Sequence, residues 1–363
     1  MLRYLIAPLA GVAALFAGTA TAAAEAPKVV VSIKPLHSLV AGVMGDLGEP
    51  FLLVQGAGSP HSYSLRPSEA RALENADLVV WVGPGLESFL EKPLGALAGK
   101  ARIVELAEAE GVTLRDTREG GAWEAHDHEE HGHGEHGHGA HAEGEHAHDE
   151  HAHDQHAHDE HAHDGHAHDG HAEAAHEEHH AEHHGEHEHG AHDMHVWLDP
   201  GNAAAVVRAI RAALSELDPR NAARYGDNAT ALEAKIAALD GELAQSLAAV
   251  KERPFVVFHD AYQYFERHYG LNGVGSITLE PDQAPGARRL AELRHRIEEL
   301  DAACVFSEPQ FEPALVETLT EGLAVKTGVL DPLGAALPAG EAAYFTLMRD
   351  LADSLVTCLE ASS

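Results

Sequence analysis

"PFVVFHDAYQYF", residues 254–265, joins two kinds of pattern in one short stretch. The run Phe255–Phe258 is apolar at every position, which suits a strand covered on both faces, and His259 with Asp260 then opens a helix-like segment. Such runs recur along the chain. A first series reads "KVVVSI" at 28–33, "FLLV" at 51–54, "DLVVWVG" at 77–83 and "ARIVEL" at 101–106. After "PFVVFH" at 254–259, a second series continues with "LNGVGSI" at 271–277, "AACVFSE" at 302–308 and "VKTGVL" at 325–330. Helical stretches separate the runs, the alternation that builds parallel sheets. The expected fold is α/β with two lobes, each a mostly parallel sheet flanked by helices.

Two helices are predicted between the series, one capped by Asp199 and Pro200, the other by Asp218 and Pro219. In the second, Leu232, Ile236, Leu239, Leu243, Leu247 and Val250 recur every three or four residues and lay one apolar stripe along a helix. Assigned to 219–250, this is a long rigid linking helix of about 45 Å, interrupted in composition only by Gly226 and Gly241. A connection of that kind predicts small tilting of the lobes rather than wide hinge closure.

Acidic side chains outnumber basic ones 59 to 24, for a formal charge of -35. Residues 124–193 hold 21 of the acids, no Lys or Arg, and 26 of the 32 histidines. This charge balance excludes nucleic acid as a partner, because phosphate backbones need clustered cations. The repeated "HAHDE" units have almost no apolar residue to order them and are read as a disordered acidic His-rich loop. Its His-x-His pairs are expected to bind several divalent metal ions at about micromolar affinity.

Arg3, the apolar "YLIAPLAGVAALFAG" and the small residues "TATAAAEA" read as an export signal over 1–24, cleaved after about Ala22 or Ala24. The apolar stretch is short for a spanning helix, so no stable membrane anchor is expected, and the mature chain is placed outside the cytoplasm. In an oxidising compartment Cys304 and Cys358 can close a loop of 54 residues, the alternative being two buried thiols. About 270 residues remain without the signal and the His-rich loop, which fits two domains better than one. The expected organisation is an N-terminal lobe from 25–123 completed by 194–218, the helix 219–250, and a C-terminal lobe from 251–363.

Six histidines lie outside the His-rich run: His37, His61, His195, His259, His268 and His295. His61 follows the Gly/Pro-rich "GAGSP" after a strand, His195 stands in "MHVWLDP", and His259 ends a strand. Asp331 follows "VKTGVL" and opens "DPLG". Ligands of open α/β sheets gather at such strand ends. His195 also suits packing beside Trp197, His259 a helix cap, and Asp331 the turn that Asp-Pro usually signals. His37 and His268 are read as structural and His295 as solvated.

"GSPHSYSLRPSEARALENADLVVWVGPGLESFL", "HVWLDP", "FVVFHDAYQYFERHYGL", "APGARRL", "CVFSEPQF" and "DPLG" follow one another in that order. In this the chain resembles the periplasmic zinc-binding proteins of ABC-type zinc uptake systems, the ZnuA type within the cluster A-I solute-binding proteins. The resemblance spans the mature chain outside the His-rich run. It implies two lobes joined by a long helix, Zn(II) held in the cleft between them, and delivery to an ABC permease in the inner membrane by a monomeric carrier. The family's ligands fall on His61, His195 and His259, with its acidic fourth position on Asp331 and its disulfide on Cys304 with Cys358. Some relatives have Glu before the first ligand histidine; here Pro60 stands there, which leaves Asp331 and water as alternatives for the fourth ligand.

A nitrogen-rich four-coordinate set suits zinc. In manganese-binding relatives the place of His259 resembles a Glu, so the imidazole here favours zinc, with copper and nickel as competitors under the Irving–Williams order. Three histidines with an open position also describe hydrolytic zinc sites, but no H-E-x-x-H or substrate motif accompanies them, and the protein is not expected to be an enzyme. Zinc storage or surface adhesion is the remaining alternative.

Overall fold

The computed structural model describes residues 26–118, 123, 192–278, 286–311 and 314–360. The export signal over 1–24 and the His-rich loop, apart from His192 and Asp193, lie outside the described residues. No helix among the described residues is long and apolar enough to cross a membrane.

Each of the eight apolar runs contains a strand. The first four hold β1 (Val29–Val31), β2 (Phe51–Leu52), β3 (Leu78–Trp81) and β4 (Arg102–Glu105), a parallel sheet in the order β2-β1-β3-β4. A two-residue antiparallel ladder comes next, β5 (Arg115–Asp116) with β6 (His192–Asp193). The second parallel sheet contains β7 (Phe255–His259), β8 (Gly273–Thr278), β9 (Cys304–Ser307) and β10 (Lys326–Val329), in the order β10-β9-β7-β8. Counted in chain order within its own sheet, each arrangement is 2-1-3-4, so each has its switch point between its first and third strands.

Helices cover both faces: α1 (Lys34–Met44), α2 (Pro67–Glu74), α3 (Ser88–Leu97), α4 (Pro200–Leu217), α5 (Ala222–Leu247), α6 (Gln263–Tyr269), α7 (Ala287–Glu299), α8 (Ala314–Thr320) and α9 (Ala343–Leu359). Alternate strand residues serve different layers, as expected when neither face meets water. Val29, Val31, Leu78, Val80, Phe255 and Val257 join one buried cluster that runs through α1, α4, α5 and α9. Val30, Val79 and Trp81 pack on the other face of the first sheet, and Val256, Phe258 and Val305 on the other face of the second.

The apolar stripe of α5 is buried along its whole length, from Leu232 to Leu247, with Val250 just beyond the helix. Its neighbours include α1 and α4 on one side of the chain and α6 and α9 on the other. Each such side chain contributes roughly 1.5–3 kcal/mol on burial. Gly226 and Gly241 lie inside the helix without breaking it. Its start differs from expectation: Asp218 ends α4, and its carboxylate accepts from Asn221 Nδ2 at 2.6 Å, so residues 218–221 form a turn and α5 begins at Ala222. Asp199, by contrast, caps α4 as predicted, accepting from Gly201 N and Asn202 N.

His37, read as structural, is buried with Nε2 2.9 Å from Pro50 O, and His295, read as solvated, pairs with Glu299 at the surface. His268 has a more defined place. Its Nε2 is 2.8 Å from Asp240 on α5, and its Nδ1 is 3.5 Å from Asp199 at the start of α4. The Asp199 carboxylate, then Asp240, hold its pKa above the ordinary 6.5 although burial opposes them. A raised folded pKa makes this clamp fully stabilising below pH 6.5 and progressively lost as pH rises through the raised value. Unfolding of His268→Gln in urea is therefore expected to show a deficit against the parent near about pH 6 that shrinks toward about pH 9. An equal deficit at both would show that the imidazolium contributes nothing.

Candidate metal centre

His259 is the last residue of β7, and Glu308 follows β9 directly. The parallel pairing of Phe255 with Cys304 and Val256 with Val305 brings these two strand ends together at the switch point of the second sheet. Glu308 is buried, and its Oε1 lies 2.7 Å from His259 Nδ1. His195 is set in the same way from nearer in sequence: Asp193 Oδ1 accepts its backbone N–H at 2.9 Å and lies 2.8 Å from its Nδ1. Carboxylates at both Nδ1 atoms select the tautomer with the proton on Nδ1, which leaves the two Nε2 lone pairs turned inward.

His61 comes from the loop between β2 and α2. Backbone bonds from Leu53 N to Val31 O and Val54 N to Ser32 O carry the strand direction into this loop. The loop is closed at its far end by the capping bond from Arg66 N to Glu69. Among the described residues His61 has no carboxylate partner of the kind that holds the other two, and its Nε2 is buried with no hydrogen-bond partner. Burial, then the neighbouring His195 and His259, push its pKa well below 6.5, so its lone pair stays free at neutral pH. For His259 burial also disfavours the charged ring, but the Glu308 carboxylate outweighs it and the pKa is raised.

The three side chains each offer a ligand atom, and these atoms lie within 4.8 Å of one another. His195 Nε2 and His259 Nε2 are 3.3 Å apart. Two nitrogens bound tetrahedrally at Zn–N distances of about 2.0–2.1 Å would be separated by about 3.3–3.4 Å, so the pair is already at ligand spacing. The cavity they line is only about 10 Å³, walled by Pro60, Phe311, Pro332 and Leu333 together with Glu308. That is room for a single ion or a water-sized group.

Asp331 belongs to a different set of bonds. Its Oδ1 accepts from Leu333 N, Gly334 N and Gln310 Nε2, and its Oδ2 from Ala335 N. It is not among the converging ligand atoms. The packing of His195 against Trp197 is present as well, with ring centroids 5.2 Å apart, so packing and convergence coexist. Sequence reasoning assigns no role to Asp193 or Glu308. Asp193 reads as the end of the His-rich run, whereas it is buried in β6; Glu308 stands in the "CVFSEPQF" motif, and its position at a strand end is its only signal.

The family described as "ZnuA: Zinc-uptake complex component A periplasmic" matches residues 29–358. A high-affinity zinc uptake system protein ZnuA of Brucella abortus (strain 2308) is 50% identical over 337 residues, 93% of each chain. The protein of that name from Paracoccus denitrificans (strain Pd 1222) is 42% identical over 360 residues, 98% of this chain and 100% of its own. Among solved structures, a ZnuA crystal structure superposes with a TM-score of 0.66 at 24% identity, covering 92% of this chain and 100% of that one. The periplasmic zinc-binding protein TroA from Treponema pallidum gives 0.67 at 19% identity, covering 93% and 100%. At these identities the superpositions show a shared fold.

Proposed function

The chain belongs to the ZnuA family of periplasmic zinc-uptake components, and from that premise we propose that it captures one Zn(II) ion with His61, His195 and His259 and delivers it to an ABC permease in the inner membrane. The observation that carries the site assignment is the 3.3 Å separation of the His195 and His259 nitrogens, each backed by a carboxylate on its far side. Zinc is cargo here. A cavity of about 10 Å³ gives an organic substrate no place beside the metal, which supports carriage over hydrolysis. Water is the fourth neighbour this arrangement favours, because recruiting Asp331 would break its bonds to the turn at 333–335.

We assign residues 25–123 and 194–218 to the first lobe, 219–250 to the connection and 251–363 to the second, with the cargo between them. The composition of 124–193 supports an auxiliary zinc-binding role for the His-rich run. Titration of the full chain with zinc against a chelator tests the whole reading. One tight ion per chain is expected, together with weaker ions that disappear when residues 126–190 are deleted. Crystals should place one anomalous scatterer at the zinc edge among the three imidazoles. Absence of a tight ion would end the transport reading, and an unchanged count of weak ions after the deletion would end the auxiliary one.

A further inference from the structure

The β5–β6 ladder touches both halves of the site. On the side of the first sheet it is held by Asn202 of α4, whose side chain accepts from Thr113 N at 2.8 Å and donates to Thr113 O at 3.0 Å. On the side of the second sheet it is held by α6. Tyr264 OH accepts from Arg115 N at 2.9 Å and donates to Asp193 O at 2.7 Å, and Gln263 Nε2 donates to Asp116 O at 3.0 Å. Arg118 extends this contact. Its Nε lies 2.9 Å from both carboxylate oxygens of Asp260, its Nη1 donates to Glu266 at 2.5 Å, and its guanidinium stacks 3.4 Å from the centroid of the Trp123 ring.

These bonds share one geometric outcome. Asp193, which orients His195, hangs from the ladder, and Asp260 is the residue after His259. We infer that Arg118 is a positioning residue for zinc: by gripping Asp260 and Glu266 from the β5 side, it fixes His195 and His259 at ligand spacing across the cleft. A planar guanidinium suits this task, because it can serve two carboxylates in fixed directions, which an ammonium cannot. The two ligand imidazoles are thus spaced by a strap outside the metal's own coordination shell, in the way that outer partners set metal affinity elsewhere.

The inference rests on the zinc assignment proposed above, and its test keeps the two apart. In the full chain, zinc release into excess chelator is followed for the parent, Arg118→Ala, Arg118→Lys and Tyr264→Phe, with melting temperatures of the zinc-free and loaded forms. Arg118→Ala is expected to release zinc about 10-fold faster and to lose part of the melting-temperature gain that zinc confers, with Arg118→Lys intermediate. Tyr264→Phe, which removes the two bonds of its hydroxyl to Arg115 N and Asp193 O, is expected to accelerate release about threefold, and Arg118→Lys decides the matter if Arg118→Ala does not fold. A purely structural role lowers both melting temperatures equally and leaves release within about twofold of the parent; that result overturns the inference while the zinc site stands. A parent that retains no zinc overturns both.

Discussion

His259→Ala is expected to weaken zinc binding by about 1000-fold or more, equivalent to about 4 kcal/mol. On the proposed assignment the lost group is one of three donors, and its neighbours cannot move in to replace it. His195 is held by Asp193 through both its ring and its backbone, and His61 sits on a loop closed by Arg66 and Glu69. Removing the ring also leaves the Glu308 carboxylate buried without its principal partner, an added penalty in the empty protein. Glu308→Gln keeps the imidazole and loses only the charge behind it, for an expected weakening of about 10–100-fold. Competition titration with a chelator of known affinity separates the two. If His259→Ala bound zinc within about tenfold of the parent, the three imidazoles would not be the seat of the cargo.

The second large effect concerns stability. Cys304 on β9 and Cys358 on α9 are joined in a disulfide with Cα atoms 6.1 Å apart, closing 54 residues of chain. On the chain-entropy account such a closure stabilises by about 4 kcal/mol, so reduction should lower the melting temperature by about 10 °C. The bond fixes the end of α9 to the strand that lies between β7 and β10 and that leads straight into Glu308. Reduction should consequently loosen the second sheet before the first. A reduced protein that melted within about 2 °C of the oxidised one would show that packing of α9 alone supplies the constraint.

The inner strands β1, β3 and β7 are legible in the sequence because both their faces are covered: "VVV", "LVVW" and "FVVF" carry no alternation and are buried throughout. The placement of the converging histidines is legible in part for a related reason, since the end of the run that carries His259 can be marked from the run itself. Their carboxylate partners are not. Asp193 lies two residues from His195, but it follows a run containing 20 other acids and carries no contrast with its background. Glu308 reaches His259 across 49 residues, a proximity created by the pairing of β9 with β7. Arg118 is hidden in the same way, because its partners on and before α6 lie beyond 140 residues of intervening chain. Asp331 shows the converse. The Asp-Pro reading as a turn describes its hydrogen bonds, while the family resemblance suggests a ligand.

The buried row of α5 carries one more implication. Helices from both sides of the chain share that row, so a wide swing of one sheet away from the other would drag Leu232, Ile236, Leu239 and Leu243 into water. Loading that avoids such a swing exchanges almost no apolar area with solvent. The heat capacity of the protein then stays nearly constant on capture, and the calorimetric signature is that of hydration waters traded for ring nitrogens.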